Sequence, residues 1–133
     1  MQRSAGGDTV FTTALGRARQ WVIGDHVVHG GGQAVLPGTG YLELMRGALA
    51  DTPQDASVEI SQVFFEAPLV VREGEEKDIT VTLTPEGNRA SVEISSAEGT
   101  HASGKVAYVQ AERPARVDIA AIAAKCQGRR DTP

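Results

Sequence analysis

The ten residues Tyr41 to Ala50, YLELMRGALA, constrain this chain more than any other stretch. Their spacing predicts a helix on which Tyr41, Leu42, Leu44, Met45, Ala48 and Leu49 cover most of the circumference, leaving Glu43 and Arg46 as a polar i,i+3 pair. A helix apolar on most of its sides has to be buried, so the rest of the chain must supply a surface that wraps it. Pro37-Gly38-Thr39-Gly40 reads as the loop that opens the helix, with Thr39 as its N-cap. Its end is expected near Asp51-Thr52-Pro53, because the residue before a proline resists the α conformation.

Beyond the helix the period of the pattern changes to two. Val58 and Ile60 alternate with Glu59 and Ser61 until Gln62 interrupts before Val63-Phe64-Phe65, which predicts a bulge or bend. Leu69-Val70-Val71 reads as a short strand. Ile79, Val81 and Leu83 then alternate with Thr80, Thr82 and Thr84, Ala90, Val92 and Ile94 alternate on the return, and Ala102, Gly104, Val106 and Tyr108 alternate with His101, Ser103, Lys105 and Ala107. The turns Pro85-Glu86-Gly87-Asn88 and Ala97-Glu98-Gly99-Thr100 join them into a three-stranded antiparallel meander with one polar face. Val10 to Leu15 is a further candidate strand, and Ile119 to Lys125 a brief alanine-rich helix. One buried helix followed by long antiparallel strands gives an α+β class and a curved sheet around a central helix, the hot-dog arrangement.

Length and composition allow this and exclude several alternatives. The 133 residues suffice for one domain with its own core, and 41% hydrophobic with 23% charged residues is ordinary for a globular chain. The net charge of −4, with scattered basic residues, argues against a nucleic-acid partner. Apolar runs fall far short of the ~20 residues that cross a bilayer, and Met1 to Val10 has no signal-like apolar core, so no membrane and a cytoplasmic location are expected. Cys126, the single cysteine, reads as an unreactive free thiol. No metal ligand set is visible.

The stretch Trp21 to Leu49, WVIGDHVVHGGGQAVLPGTGYLELMRGAL, resembles the start of polyketide synthase dehydratase domains. Their signature is a histidine, a glycine four residues on, and a proline heading the buried helix. Asp25-His26, Val28, Gly30, Pro37-Gly38 and Tyr41-Leu42-Glu43-Leu44 fall in that order. Phe64-Phe65-Glu66-Ala67-Pro68-Leu69 resembles the family's strand ending in "PL", and His101-Ala102-Ser103-Gly104-Lys105-Val106 its H-A-x-G-x-V strand, with Thr100 where a tryptophan is common. The resemblance covers roughly residues 8 to 110. One departure is a widened turn: the family has four residues between glycine and proline, whereas six separate Gly30 from Pro37. Only Gly32 has the four-residue spacing, and it lies six after His26, so either glycine is a candidate to face the ligand.

The resemblance implies the first half of a double hot-dog, residues 1–110, with 111–133 as a linker towards a second unit. It implies dehydration of a β-hydroxyacyl thioester, delivered on the phosphopantetheine of an acyl carrier protein, with no cofactor of the enzyme's own. Elimination needs a base for the α-proton, and imidazole, with an unperturbed pKa of about 6.5, can take one near neutral pH. His26 is the candidate catalytic base. Gly30, Gly32, Pro37 and Gly38 are the candidate substrate-binding residues, since backbone N–H groups there or at the helix N-terminus can stabilise an enolate oxygen. His29 lies outside the matched positions, and His101 is read as structural. The acid of this family is an aspartate of the second unit, in a D-x-x-x-Q/H motif downstream of G-x-x-Y-G-P-x-F, and neither motif follows residue 110. The spacing of Asp25 and His29 fits D-x-x-x-H by chance, overlapping the histidine motif.

Two classes of function follow: a catalytic half completed by a second hot-dog unit, or a non-catalytic acyl-binding, dimerisation or scaffold module of a synthase. Isomerase and pyran-forming relatives share the histidine motif, and a single-unit hydratase or thioesterase fits less well. Because hot-dog units hide a sheet edge and face by pairing, the chain standing alone is expected to be a homodimer.

Overall fold

A computed structural model describes residues 2–3, 7–28, 32–49 and 56–126, the first pair by backbone alone. In chain order the elements are β1 (Gln2–Arg3), β2 (Thr9–Gly16), α1 (Trp21–Asp25), β3 (Val27–Val28), β4 (Gln33–Val35), α2 (Gly38–Gly47), β5 (Ser57–Phe65), β6 (Val70–Val71), β7 (Glu76–Glu86), β8 (Arg89–Ser96), β9 (Gly99–Val109) and α3 (Ile119–Lys125). Six strands form an antiparallel sheet in the order β1-β2-β7-β8-β9-β5, and β3-β4-β6 form a small second sheet. Helix α2 packs on β5 and β9. This is the expected helix wrapped by a curved sheet.

The expected alternation explains why the large sheet has an inside. In register, Val81 faces Ile94 and Leu83 faces Val92 across β7–β8, while Ile94 faces Ala102 and Ala90 faces Val106 across β8–β9. Ile79, Val92, Ile94, Ala102 and Val106 are almost fully buried, whereas the intervening threonines, serines and charged residues form the outer face. On α2, Tyr41, Met45 and Ala48 are buried, and Leu42, Leu44 and Leu49 pack against the same core. Glu43 and Arg46 pair in two-pronged fashion on the exposed side, at 2.8 and 2.5 Å. That pair is too solvated to add much stability.

Three local expectations are corrected. Thr39 does not cap α2: Pro37 is the N-cap, with extended backbone and no side-chain cap, so the helix starts one residue before Thr39. Proline fixes φ near the value that this entry takes but carries no side-chain acceptor, so the first turn is left without a side-chain cap. The helix ends at Gly47, followed by a turn at Ala48 and Leu49, earlier than the end expected near Asp51-Thr52-Pro53, which lies outside the described residues. His101 does not sit on the outer face. Ile94 pairs with Ala102 and Ser95 with Thr100, so His101 is an extra residue in β9, and this bulge turns it into the core beside Ala102. The interruption expected at Gln62 is a bulge: Ser61 pairs with Lys105 and Phe64 with Ser103, and Gln62 takes φ +50°. From 110 to 126 every residue is exposed, and α3 buries none of its side chains. Of the linker expected at 111–133, residues 127–133 lie outside the described residues.

The crossing of α2 over β9 depends on Gly104. A Cβ there would stand 3.3 Å from Met45 Sδ and 3.5 Å from the Ser61 carbonyl oxygen. Gly104→Val is therefore expected to destabilise the fold by about 1–3 kcal/mol through overpacking, read as a lowered midpoint in urea. A midpoint unchanged from the parent would contradict this packing.

Candidate active site

His26 is held by the segment before it. The Gly16 N–H donates to the Gln20 side-chain oxygen at 2.8 Å, and the Gly16 carbonyl accepts from Arg19 and Gln20, closing a turn that leads into α1. Ile23 is fully buried and pins α1 to the core. A Cβ on Gly24 would stand 2.9 Å from the Arg17 carbonyl oxygen, so only glycine lets the helix lie this close to the turn. His26 follows as the C-cap, an exposed residue at the mouth of the β3–β4 hairpin.

Two hydrogen bonds join His26 to Val35. The Val35 N–H donates to the His26 carbonyl at 3.1 Å, and the ring Nδ1 lies 2.7 Å from the Val35 carbonyl oxygen. A carbonyl can only accept, so Nδ1 carries a proton, and in the neutral ring the lone pair is on Nε2. The ring is thus fixed in both orientation and tautomer, the arrangement a base needs.

Val35 also lines a cleft of about 330 Å³, together with Leu36, Gly38, Tyr41, Phe65 and Ala67. Gly38 opens α2, where the Gly40 N–H donates to the Pro37 carbonyl at 2.8 Å while no side chain caps the N–H groups of the first turn, and a Cβ on Gly38 would touch the Phe65 ring at 3.4 Å. Phe65 is 58% exposed, yet its ring lies 5.6 Å from that of Tyr41. The buried Tyr41 hydroxyl accepts the Leu69 N–H at 3.0 Å, and the Leu69 carbonyl accepts the Leu36 N–H at 3.0 Å. The β5–β6 connection is therefore tied to both the helix and the strand that leads into it.

The structure brings three of the expected site residues into one region: His26 beside Val35, Gly38 in the cleft, and the half-buried Pro37 between Leu36 and α2. Gly32 lies apart, with φ +60° and open space where a Cβ would be. The turn itself requires its glycine conformation. Gly30 and His29 lie outside the described residues. Tyr41, Val35 and Phe65 were not singled out as site residues from sequence. Their signals, a tyrosine at the helix start and a Phe-Phe before a proline, read first as core. No group of side chains able to hold a metal occurs among the described residues, and among them no helix is long and apolar enough to cross a membrane.

Comparison with known proteins identifies the family and the fold. The family model for the polyketide synthase dehydratase domain matches residues 1–97. The chain belongs to that family. It is 32% identical over 108 residues to the highly reducing polyketide synthase lcsB of Purpureocillium lilacinum, covering 76% of this chain and 4% of that one. The dehydratase domain from the CurF module of curacin polyketide synthase superposes with a TM-score of 0.78 at 26% identity, over 90% of this chain and 45% of that chain. An inactive CurK dehydratase mutant, in which a histidine is replaced by phenylalanine, gives 0.78 at 23% identity, over 96% and 47%. The chain thus spans about half of the solved dehydratases, as an N-terminal half with the hot-dog fold.

Burial raises the Tyr41 hydroxyl above its ordinary pKa of 10.0, against a smaller lowering by the Leu69 N–H. A raised value in the folded state means that the unfolded chain loses this proton first. Stability from the neutral hydroxyl is full below about pH 10 and is lost as pH rises through the folded value. Tyr41→Phe should remove that alkaline loss, and at neutral pH it should cost about 1–3 kcal/mol because the Leu69 N–H is left buried without an acceptor. Urea unfolding at neutral and alkaline pH checks both parts.

Proposed function

We propose that this chain is the histidine-bearing half of a dehydratase that converts a β-hydroxyacyl thioester, carried on an acyl carrier protein, into the α,β-enoyl thioester during polyketide synthesis. The observation that carries the reading is the Nδ1–H bond from His26 to the carbonyl of Val35, a residue that lines the cleft, which leaves Nε2 without a partner in the bond that orients the ring. Nε2 takes the α-proton, and the electron pair left on the α-carbon becomes the new double bond as the β-carbon–oxygen bond breaks. The departing hydroxyl leaves as water once protonated. That proton comes from an aspartate of a second hot-dog unit.

Negative charge developing on the thioester oxygen needs stabilising, and the uncapped first turn of α2 at Gly38 offers backbone N–H groups and the positive end of the helix dipole. The CurK dehydratase loses activity when one histidine is replaced by phenylalanine, as an elimination driven by a histidine base requires. A second unit would have a surface to cover here, since Val27 and Val28 on the edge strand β3 and Phe64 and Phe65 at the end of the edge strand β5 are exposed apolar residues.

In the complete dehydratase, His26→Ala should lower turnover of a β-hydroxyacyl thioester by about 10²- to 10⁴-fold, the usual worth of a positioned base. Wild-type-like turnover would overturn the assignment. Expressed alone, the chain should form a homodimer through the same uncovered surface; light scattering that reports a stable monomer would count against that pairing.

A further inference from the structure

His101 is 2% exposed, and every polar atom of its ring is committed. Nδ1 lies 3.1 Å from the Ala67 carbonyl oxygen, which can only accept, so Nδ1 carries the proton. Nε2 then accepts from the Ser96 hydroxyl at 2.7 Å, and the Ser96 oxygen accepts the Glu98 N–H at 3.1 Å. The backbone carbonyl of His101 takes the N–H groups of Glu66 and Ala67 at 2.9 and 3.3 Å. One bulged residue therefore fastens the start of the β5–β6 connection through both its ring and its main chain.

The far end of that connection carries the strand that holds His26. Val35 pairs with Val70 and Ala34 with Val71, while Leu69 is bonded to Leu36 and Tyr41. A second tie reaches the same place: Lys77, whose side chain is 10% exposed, donates to the Val70 carbonyl at 2.6 Å and to Glu98 at 2.9 Å, in the β8–β9 turn that also orients Ser96. The His101 clamp and the Lys77 tie thus meet on the ladder whose next member is the Val35 carbonyl.

We propose that His101 is a positioning residue for the dehydration, holding the 65–71 segment so that Val35 keeps His26 in its Nδ1–H tautomer with Nε2 free. This rests on the reading of His26 as the base. A histidine that merely fills the core would affect stability alone. One that positions affects the rate and the state of the His26 ring.

The test compares His101→Leu and His101→Gln in the complete dehydratase, with the imidazole nitrogens labelled with ¹⁵N and the His26 signals assigned through His26→Ala. His101→Leu should lower kcat by roughly ten- to a hundredfold, as expected for slight misplacement of a reacting group, with little change in KM. The His26 shifts should move from a single Nδ1–H pattern to a tautomer mixture. Glutamine can donate to Ala67 and accept from Ser96, so His101→Gln should restore the single pattern and most of kcat. If His101→Leu does not fold, Ser96→Ala, which removes the partner of Nε2 and the acceptor of the Glu98 N–H but leaves the His101 carbonyl bonded to Glu66 and Ala67, should show the same shifts to a smaller degree. Loss of thermal stability with unchanged kcat and unchanged His26 shifts, in whichever of these variants folds, overturns the proposal. The nitrogen shifts report on His26 whether or not it is the base, so a fully active His26→Ala would refute the function while leaving the structural coupling separately readable.

Discussion

Met45 is buried against β9, where Gly104 presents bare backbone beneath it. That contact sets how deeply α2 sinks into the curved sheet, and the depth decides what else can reach the helix. Tyr41, one turn earlier on the same face, is thereby brought against the β5–β6 connection, where its hydroxyl accepts the Leu69 N–H. A helix held farther out would leave that N–H without an acceptor in a buried setting, at a cost comparable to a lost hydrogen bond. Core packing and the cleft are consequently one arrangement.

From Tyr41 the order passes outward to the histidine. Leu69 holds Leu36, β6 pairs with β4, and Val35 at the end of β4 receives the His26 ring. The side chain proposed to do the chemistry is exposed, yet each group that orients it is tied to a buried one: Ile23 behind it in α1, and Leu69 and Tyr41 beneath the strand it leans on. Exposure gives substrate access, and the buried supports fix the ring's direction, a division of labour common where a reactive group sits on a loop borne by a rigid scaffold.

Much of the fold was legible because period-two and period-3.6 patterns are long here and rarely interrupted. The strands over 79–94 and the apolar helix after Pro37 carry their own geometry, and the break at Gln62 marks a true bulge. His26 was singled out through its family pattern, and its ring lies against the Val35 carbonyl. The misreadings share a cause. A bulge at His101 and a proline cap at the start of α2 are single-residue events, and alternation read along one strand has no access to the partner strand that reveals them. The role of Val35 is likewise invisible in sequence, since what matters is its main-chain carbonyl, which every residue has.

The bulge in β5 stores one residue of slack. Because of it Phe64 lies opposite Ser103 and Phe65 opposite Ala102, so the second phenylalanine of the pair, not the first, reaches Gly38 and Tyr41. Were Gln62 instead absorbed into a regular ladder, Phe64 would come opposite Ala102 and an aromatic ring would still face the helix, but the Glu66 and Ala67 N–H groups would be pushed one step past the His101 carbonyl. Deleting Gln62, by contrast, would leave both phenylalanines on their present partners. The tandem phenylalanines thus make this wall tolerant of a slipped register, while the main-chain clamp behind it is not.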